Sequence, residues 1–294
     1  VCSSDLRLDK KKTASNYICA FKHFKRFRGD QDIAIEDLTV GQMKDFQSYL
    51  IGEGLRMNTI SLYNRELRAV YNYALDEEII QMDKRPFRKS FTGQEKTRKR
   101  AVDGGVVKRL AILSLIDKEM LGFARDLFLF SIYMQGMPFI DMAYLKKEQV
   151  RNGCITYQRR KTNRQLRVKI HPQAQIIIDR YMVSDPGCPY LFPILYDPEK
   201  KTEREYSSAL RVYNKRLDSL SSLLELDEPL TSYVARHTWA SLARQCGTSD
   251  TVISEAMGHS HVGVTTIYLA SLDIGMVAMA NQRVITSLFR KRIP

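Results

Sequence analysis

The sequence is poor in tryptophan, with Trp239 alone, and has five cysteines, Cys2, Cys19, Cys154, Cys188 and Cys246. They are odd in number, scattered, and never spaced as Cys-x-x-Cys, so they spell neither a disulfide framework nor a zinc site. A reducing, cytoplasmic setting is the expectation. No apolar run is long enough to span a bilayer, and no basic-then-apolar export signal opens the chain. The sequence lacks the G-x-x-x-x-G-K-[ST] phosphate loop, and no carboxylate or histidine cluster has metal-ligand spacing. No cofactor and no metal are therefore expected. Low-complexity tracts and solenoid-period repeats are also missing. Acid is in deficit: 33 Asp and Glu face 46 Lys and Arg, a net charge of +13. Such a surplus suits a partner rich in phosphates.

What is present is enough for two domains, since 294 residues at 44% hydrophobic content exceed the usual length of roughly 150 per domain. The opening Val1-Cys-Ser-Ser-Asp-Leu6 has no periodicity and resembles a translated adapter joined to a fragment, so it is set aside and the natural N-terminus is expected to be missing. Helical spacing follows. Tyr17, Ala20, Phe21, Phe24 and Phe27 form one stripe, and Thr39 with Gln42 makes a capping-box start for a second helix ending at Gly52 or Gly54. A third helix, from about Asn58, carries Leu62, Leu67, Val70 and Tyr73 on one side. Its other face holds Arg56, Asn58, Thr59, Ser61, Asn64, Arg65 and Arg68; taken alone this reads as a solvated helix face, with Arg56, Asn58, Thr59, Asn64, Arg65 and Arg68 as DNA-facing candidates. Between Lys84 and Arg100 eight basic residues, Lys96 and Arg98 among them, face one acid, Glu95. That composition reads as a basic linker able to displace counterions along a duplex.

Beyond the linker, Phe123 to Tyr133 reads as a buried helix and Gly136 to Leu145 resumes helical spacing. The period then becomes two. Cys154 to Arg160 and Gln165 to Ile170, joined by Lys161-Thr-Asn-Arg164, predict a β-hairpin. Helices are expected at about Glu203 to Leu217, Ser232 to Gln245, and Asp250 to Met257, the last closed by Gly258. The fold class is thus mainly α with a small antiparallel β-sheet.

Three segments carry chemistry: Tyr233-Val-Ala-Arg-His-Thr-Trp-Ala240, Met257-Gly-His-Ser260 and Thr265-Thr-Ile-Tyr268. Singly, each has an ordinary structural explanation, but their order, with Tyr268 nine residues after His259, resembles the tyrosine recombinase (phage integrase) family. The segments Asn58 to Tyr63, Leu67 to Asn72 and Lys96 to Arg100 also look like the branch of site-specific integrases common on bacterial mobile elements. The resemblance implies a two-domain DNA clamp: a helical core-type DNA-binding domain over 8–84, a basic linker over 85–104, a catalytic domain over 105–285 and a tail over 286–294.

It also implies roles. Tyr268 would be the nucleophile. A phenol with a pKa near about 10 needs help at neutral pH, and Arg236 and His259 would bind the nonbridging phosphate oxygens. Lys161, in the hairpin turn, matches the family's mobile lysine, whose role is to protonate the departing 5′ oxygen. Tyr233 stands where the family has the histidine of its His-x-x-Arg box. The implied partner is double-stranded DNA, cut and rejoined through a 3′-phosphotyrosyl link by a homo-tetramer on synapsed sites, monomeric in free solution. The tail, Ile285 to Pro294, would dock on a neighbouring protomer.

One departure stands out. The family's first catalytic arginine normally occupies Gly-x-Arg-x-x-Glu, or in this branch the position before the glycine, yet Pro138 and Gln135 fill those places. Such an arginine is worth about 10³ to 10⁵ in rate. Arg125 and Arg159 are candidate replacements, a catalytically impaired DNA-binding relative is the rival reading, and a type IB-like topoisomerase is a second.

Overall fold

The computed structural model describes residues 11–95, 100–197, 199, 201–259 and 263. The chain forms two compact units divided between Thr97 and Arg98. The first therefore extends past residue 84, taking in much of the expected linker.

Among the described residues the N-terminal unit has three α-helices, α1 (Lys11–Phe27), α2 (Val40–Gly52) and α3 (Met57–Asp76), with a 3-10 turn at Ile35–Asp37. α2 begins at the predicted box: Thr39 Oγ1 accepts from the Gln42 amide at 3.2 Å while Gln42 Oε1 accepts from the Thr39 amide at 2.8 Å. Ile60, Asn64, Tyr71 and Ala74 recur at helical spacing on the buried side of α3. They close a core with Phe24, Met43, Phe46 and Leu50, in which the Phe24 and Phe46 rings meet edge to face at 5.1 Å. Phe21, expected in the buried stripe, is instead exposed and borders a groove with Phe24, Leu67 and Val70. At one residue past Ala20 it sits on the rim of the stripe.

In the C-terminal unit, α5 (Glu119–Tyr133) is the predicted buried helix and packs against α4 (Gly104–Ile112), α7 (Pro172–Tyr181), α8 (Tyr206–Leu223) and α9 (Val234–Gln245). Its Leu127, Phe128 and Phe130 are almost fully enclosed, each such side chain contributing about 1.5–3 kcal/mol of burial. Short α6 (Phe139–Ala143) precedes a three-stranded antiparallel sheet of β1 (Val150–Arg151), β2 (Cys154–Gln158) and β3 (Gln165–Lys169). Ile155 pairs with Val168 and Tyr157 with Leu166, so the alternating apolar residues share the inner face. A second hairpin, β4 (Tyr196–Asp197) with β5 (Thr202–Glu203), precedes α8, which therefore starts at Tyr206, later than the expected Glu203. α10 (Asp250–Ala256) follows α9. No helix among the described residues is long and apolar enough to cross a membrane.

Candidate functional site

Arg236 lies in the first turn of α9 and is only 1% exposed. Its position depends on a glycine. Gly136, in the left-handed turn after α5 (φ +71°), approaches so closely that a Cβ there would stand 3.2 Å from Arg236 Cα and 3.3 Å from its Cγ. The guanidinium donates to the Gly136 carbonyl at 2.8 Å and the Met257 carbonyl at 2.6 Å, and its Nη2 lies 3.0 Å from His259 Nε2. Arginine has no acceptor, so in this contact His259 Nε2 accepts.

His259 is delivered by the end of α10. Gly258 (φ +65°) donates to the Glu255 carbonyl and the His259 amide to the Ser254 carbonyl, the paired bonds of a Schellman stop. At 5% exposure, burial first and then the charges of Arg236, Arg159 and Lys161 hold the imidazole pKa down to about 3. The ring is therefore neutral at physiological pH. It can act through hydrogen bonds only, with no charge of its own.

The β2–β3 turn closes the site from the other side. Arg159 continues the inward parity of Ile155 and Tyr157, is 4% exposed, and donates from Nη1 to the Gly258 carbonyl at 3.0 Å. Gly258 again has no room for a side chain, since a Cβ would lie 3.1 Å from Leu166 Cδ1 and 3.3 Å from Arg159 Cδ. Arg164 donates to the His259 carbonyl at 3.0 Å, completing the staple. Lys161 is exposed at the tip of this turn, close enough for its charge to act on His259.

Asp141 on α6 is the carboxylate of the cluster, 3% exposed. Its Oδ1 accepts from the Arg160 amide at 3.0 Å, and its Oδ2 faces Arg159 Nε at 4.0 Å. Burial raises its pKa, against the pull of the Arg160 amide and of Arg159 and Arg236. Among the described residues neither Asp141 Oδ2 nor Arg159 Nε has a hydrogen-bond partner.

The structure thus brings Arg236, His259 and Lys161 together. Tyr233 is exposed just before α9, its ring edge-on to His237 at 4.8 Å. Tyr268 lies outside the described residues, as do Lys96, Arg98 and the tail. Of the two proposed replacements, Arg125 is committed elsewhere, donating to Asp126 and to the Leu113 carbonyl, both at 2.7 Å. Asp126 is also bound by Arg180 and Tyr181, which makes that cluster a clip between α5 and α7. Arg159 alone of the pair is in the site. Its inward parity in the hairpin was the signal that could have ranked it. Asp141 carried no sequence signal beyond its place after Gly136.

On α3, Arg56, Arg65 and Arg68 are exposed and Thr59 is half-buried. Asn64 is fully buried and gives its amide to the Phe91 carbonyl and to Gln47, and Asn58 is bonded to the Glu95 backbone. These two asparagines, expected to face DNA, are engaged with their own chain. Among the described residues no group of His, Cys, Asp and Glu could hold a metal ion.

Residues 1–91 match the phage integrase SAM-like domain and residues 109–273 the phage integrase family. Among solved structures, the chain resembles the Tn1549 transposon integrase in complex with transposon right end DNA (TM-score 0.70, 12% identity, 92% of this chain and 94% of that one). It also resembles a lambda integrase dimer bound to a COC′ core site (0.67, 16%, 90% and 92%) and the XerH site-specific recombinase bound to its difH substrate (0.64, 17%, 91% and 78%). At these identities the likeness concerns the fold. No curated protein sequence matches significantly. With the two family matches together covering most of its length, the chain belongs to the phage integrase family, the tyrosine recombinases.

Proposed function

We propose that the chain is a site-specific recombinase that cuts and rejoins duplex DNA through a 3′-phosphotyrosyl link to Tyr268. The observation that carries this reading is the buried contact between Arg236 and His259, 3.0 Å apart, within a cluster that includes Arg159 and exposed Lys161. A buried concentration of cations with one carboxylate suits an anion whose charge grows in the transition state. Arg236 and Arg159 bind the nonbridging oxygens, Arg159 supplying the guanidinium missing at positions 135 and 138. The Arg159 Nε, buried without a hydrogen-bond partner among the described residues, supports this assignment. With phosphate bound, the neutral His259 ring takes the tautomer that carries its proton on Nε2, gives up the contact it accepted from Arg236 and donates a hydrogen bond to phosphate instead. The Tyr268 hydroxyl gives up its proton to solvent as its oxygen bonds to phosphorus, the bond from phosphorus to the 5′ oxygen breaks, and Lys161, on the turn tip, protonates that oxygen; religation runs the same transfers in reverse. Tyr233 offers a hydroxyl where the family has histidine.

Phosphodiester energy is kept in the tyrosyl link, so the cycle needs no nucleotide. Strand exchange takes four copies on two synapsed sites, with residues 285–294 docking between copies. A nicked suicide duplex should trap a protease-sensitive covalent adduct with the parent chain and none with Tyr268→Phe, which should still bind DNA. The absence of arginine at positions 135 and 138 favours a second reading, a DNA binder that does not cut. No adduct from the parent chain, with duplex binding intact, would establish that reading.

A further inference from the structure

Arg160, the residue before Lys161, is exposed and yet held twice by α6 and its C-terminal cap. Asp141 Oδ1 accepts the Arg160 amide at 3.0 Å, and the Arg160 guanidinium carbon lies 3.8 Å from the centre of the Tyr144 ring. That ring is fixed in its turn. Half-buried at the end of α6, it meets the Tyr190 ring edge to face at 6.3 Å and the tilted Tyr206 ring at 6.0 Å. Successive residues of a strand face opposite ways, and both faces of this strand end are pinned: Arg159 inward on the Gly258 carbonyl, Arg160 outward on Tyr144. Beyond Lys161, Thr162 Oγ1 donates to the Gly258 carbonyl at 3.4 Å. The Asn163 amide, on a left-handed residue (φ +55°), closes the turn on the Arg159 carbonyl at 2.8 Å. An exposed arginine ordinarily keeps its rotamer freedom. Here it is spent on a ring that the fold has already placed.

Lys161 is the first residue past this double anchor, and its charge reaches His259. We propose that Tyr144 and Arg160 are positioning residues for Lys161. Their stack fixes the outward face of the strand end, as the bond from Arg159 to Gly258 fixes the inward face, and together they direct the lysine ammonium at the departing 5′ oxygen. Neither of the pair touches the reacting atoms. Proton transfer requires the two heavy atoms at hydrogen-bond distance, and a lysine has four flexible carbons between backbone and charge. If the backbone beneath that stem also wandered, the ammonium would rarely stand where the proton is needed. Asp141 acts on the same turn through its backbone, whereas Tyr144 acts through a side chain that can be removed without disturbing the buried charges.

The inference rests on the proposed function, and the test keeps the two apart. Single-turnover cleavage is followed at saturating DNA on two nicked suicide duplexes that differ in one atom, oxygen or sulfur, at the bridging 5′ position of the scissile phosphate. When the bond from phosphorus to oxygen breaks, the oxygen takes a proton from Lys161. When the bond to sulfur breaks, sulfur leaves as a thiolate and needs none, a thiol having a pKa of about 8.5. Tyr144→Ala and Arg160→Ala should each cleave the oxygen substrate about three- to tenfold more slowly, the scale of one cation–ring contact, and the sulfur substrate at the parent rate. Arg160 is exposed, so its variant carries the test even if Tyr144→Ala does not fold. Tyr144→Phe keeps the ring and should restore the oxygen rate. Added to Lys161→Ala, Tyr144→Ala should change nothing further. Equal losses on the two substrates would make the pair a general support of the site, or Arg160 a phosphate contact, and overturn the inference. An additive loss beside Lys161→Ala would overturn it too, as would a Tyr144→Phe chain as slow as Tyr144→Ala. If Lys161→Ala is slowed on oxygen alone while Tyr144→Ala and Arg160→Ala match the parent on both substrates, the proposed function stands and the positioning role falls. If Lys161→Ala loses equally on both, Lys161 is not the acid and the positioning role falls with that assignment. No adduct from the parent chain on either duplex would take down the proposed function and the inference together.

Discussion

The two units handle charge in opposite ways. Among the described residues, the N-terminal unit buries no charged or imidazole side chain; its buried polar groups are Ser61 and Asn64, both bonded to backbone. The C-terminal unit buries Asp126, Asp141, Arg159, Arg236, His237 and His259. Exposed cations act in high dielectric and are screened by salt, so the first unit can supply affinity that ionic strength tunes. Buried cations act in a medium where each interaction is several-fold stronger and where misplacing one is costly. On the proposed function, binding and chemistry are separable in the sequence, and substitutions in one unit should leave the other's readout nearly untouched.

The sharpest break of that separation is in the second unit. Arg159→Ala should slow adduct formation on a suicide substrate by about 10³-fold, the low end for an arginine acting on a phosphoryl transition state, with duplex affinity changed little. Arg125→Ala should lower the melting temperature, because Asp126 is left with one bond fewer, and leave the single-turnover rate near that of the parent. Equal rate losses from the two would remove the distinction between site and clip. Arg159→Lys should recover part of the rate, because charge returns without the second donor.

A smaller effect is expected from the first unit. Removing Arg56, Arg65 and Arg68 together should lower the slope of log affinity against log salt by about 0.9 for each phosphate they no longer neutralise, while single-turnover cleavage at saturating DNA holds. A slope unchanged in anisotropy titrations would mean that α3 does not lie on the phosphates. A large loss of cleavage at saturation would mean that its arginines reach the chemistry.

Local chemistry was legible where it repeats or caps. The Thr39–Gln42 box, the buried helix at Phe123 to Tyr133 and the β2–β3 hairpin follow from periods of 3.6 and 2 and from one capping pair, and the structure has them. α4 went unread because it opens with two glycines, although Asp103 caps it by accepting from the Gly105 and Val106 amides. α7 had an unused signal in Pro172 at its first position. The spacing of Arg236, His259 and Tyr268 pointed to the family, but the environment of Arg159 depends on Gly258, 99 residues away in sequence. The bonds of Asn58 and Asn64 have no periodic signature at all: these residues look like any polar helix face until their backbone partners, 37 and 27 residues on, come into view. Patterns within a turn or two were readable. Bonds from side chains to distant backbone were not.

The smallest expected effect concerns acid and tests whether the buried site is as dry as its geometry implies. His259 has a folded pKa of about 3, against 6.5 when unperturbed. Between those values the unfolded chain binds a proton at this residue that the folded chain does not, so stability rises with pH across the window and is lost as pH falls from 6.5 towards 3. One proton sets the limit, about 1.4 kcal/mol per pH unit. Asp141 works the other way, its raised pKa favouring the folded state where it is protonated, so the total pH curve mixes both. Comparing the parent with His259→Gln by urea unfolding at pH 5.5, 6.5 and 7.5 isolates the histidine. The parent should lose stability relative to the variant on going from 6.5 to 5.5, with little relative change above 7. A flat difference across all three values would mean that His259 takes up its proton in the folded protein, and the neutral hydrogen-bonding role given to it would have to be replaced by that of a cation.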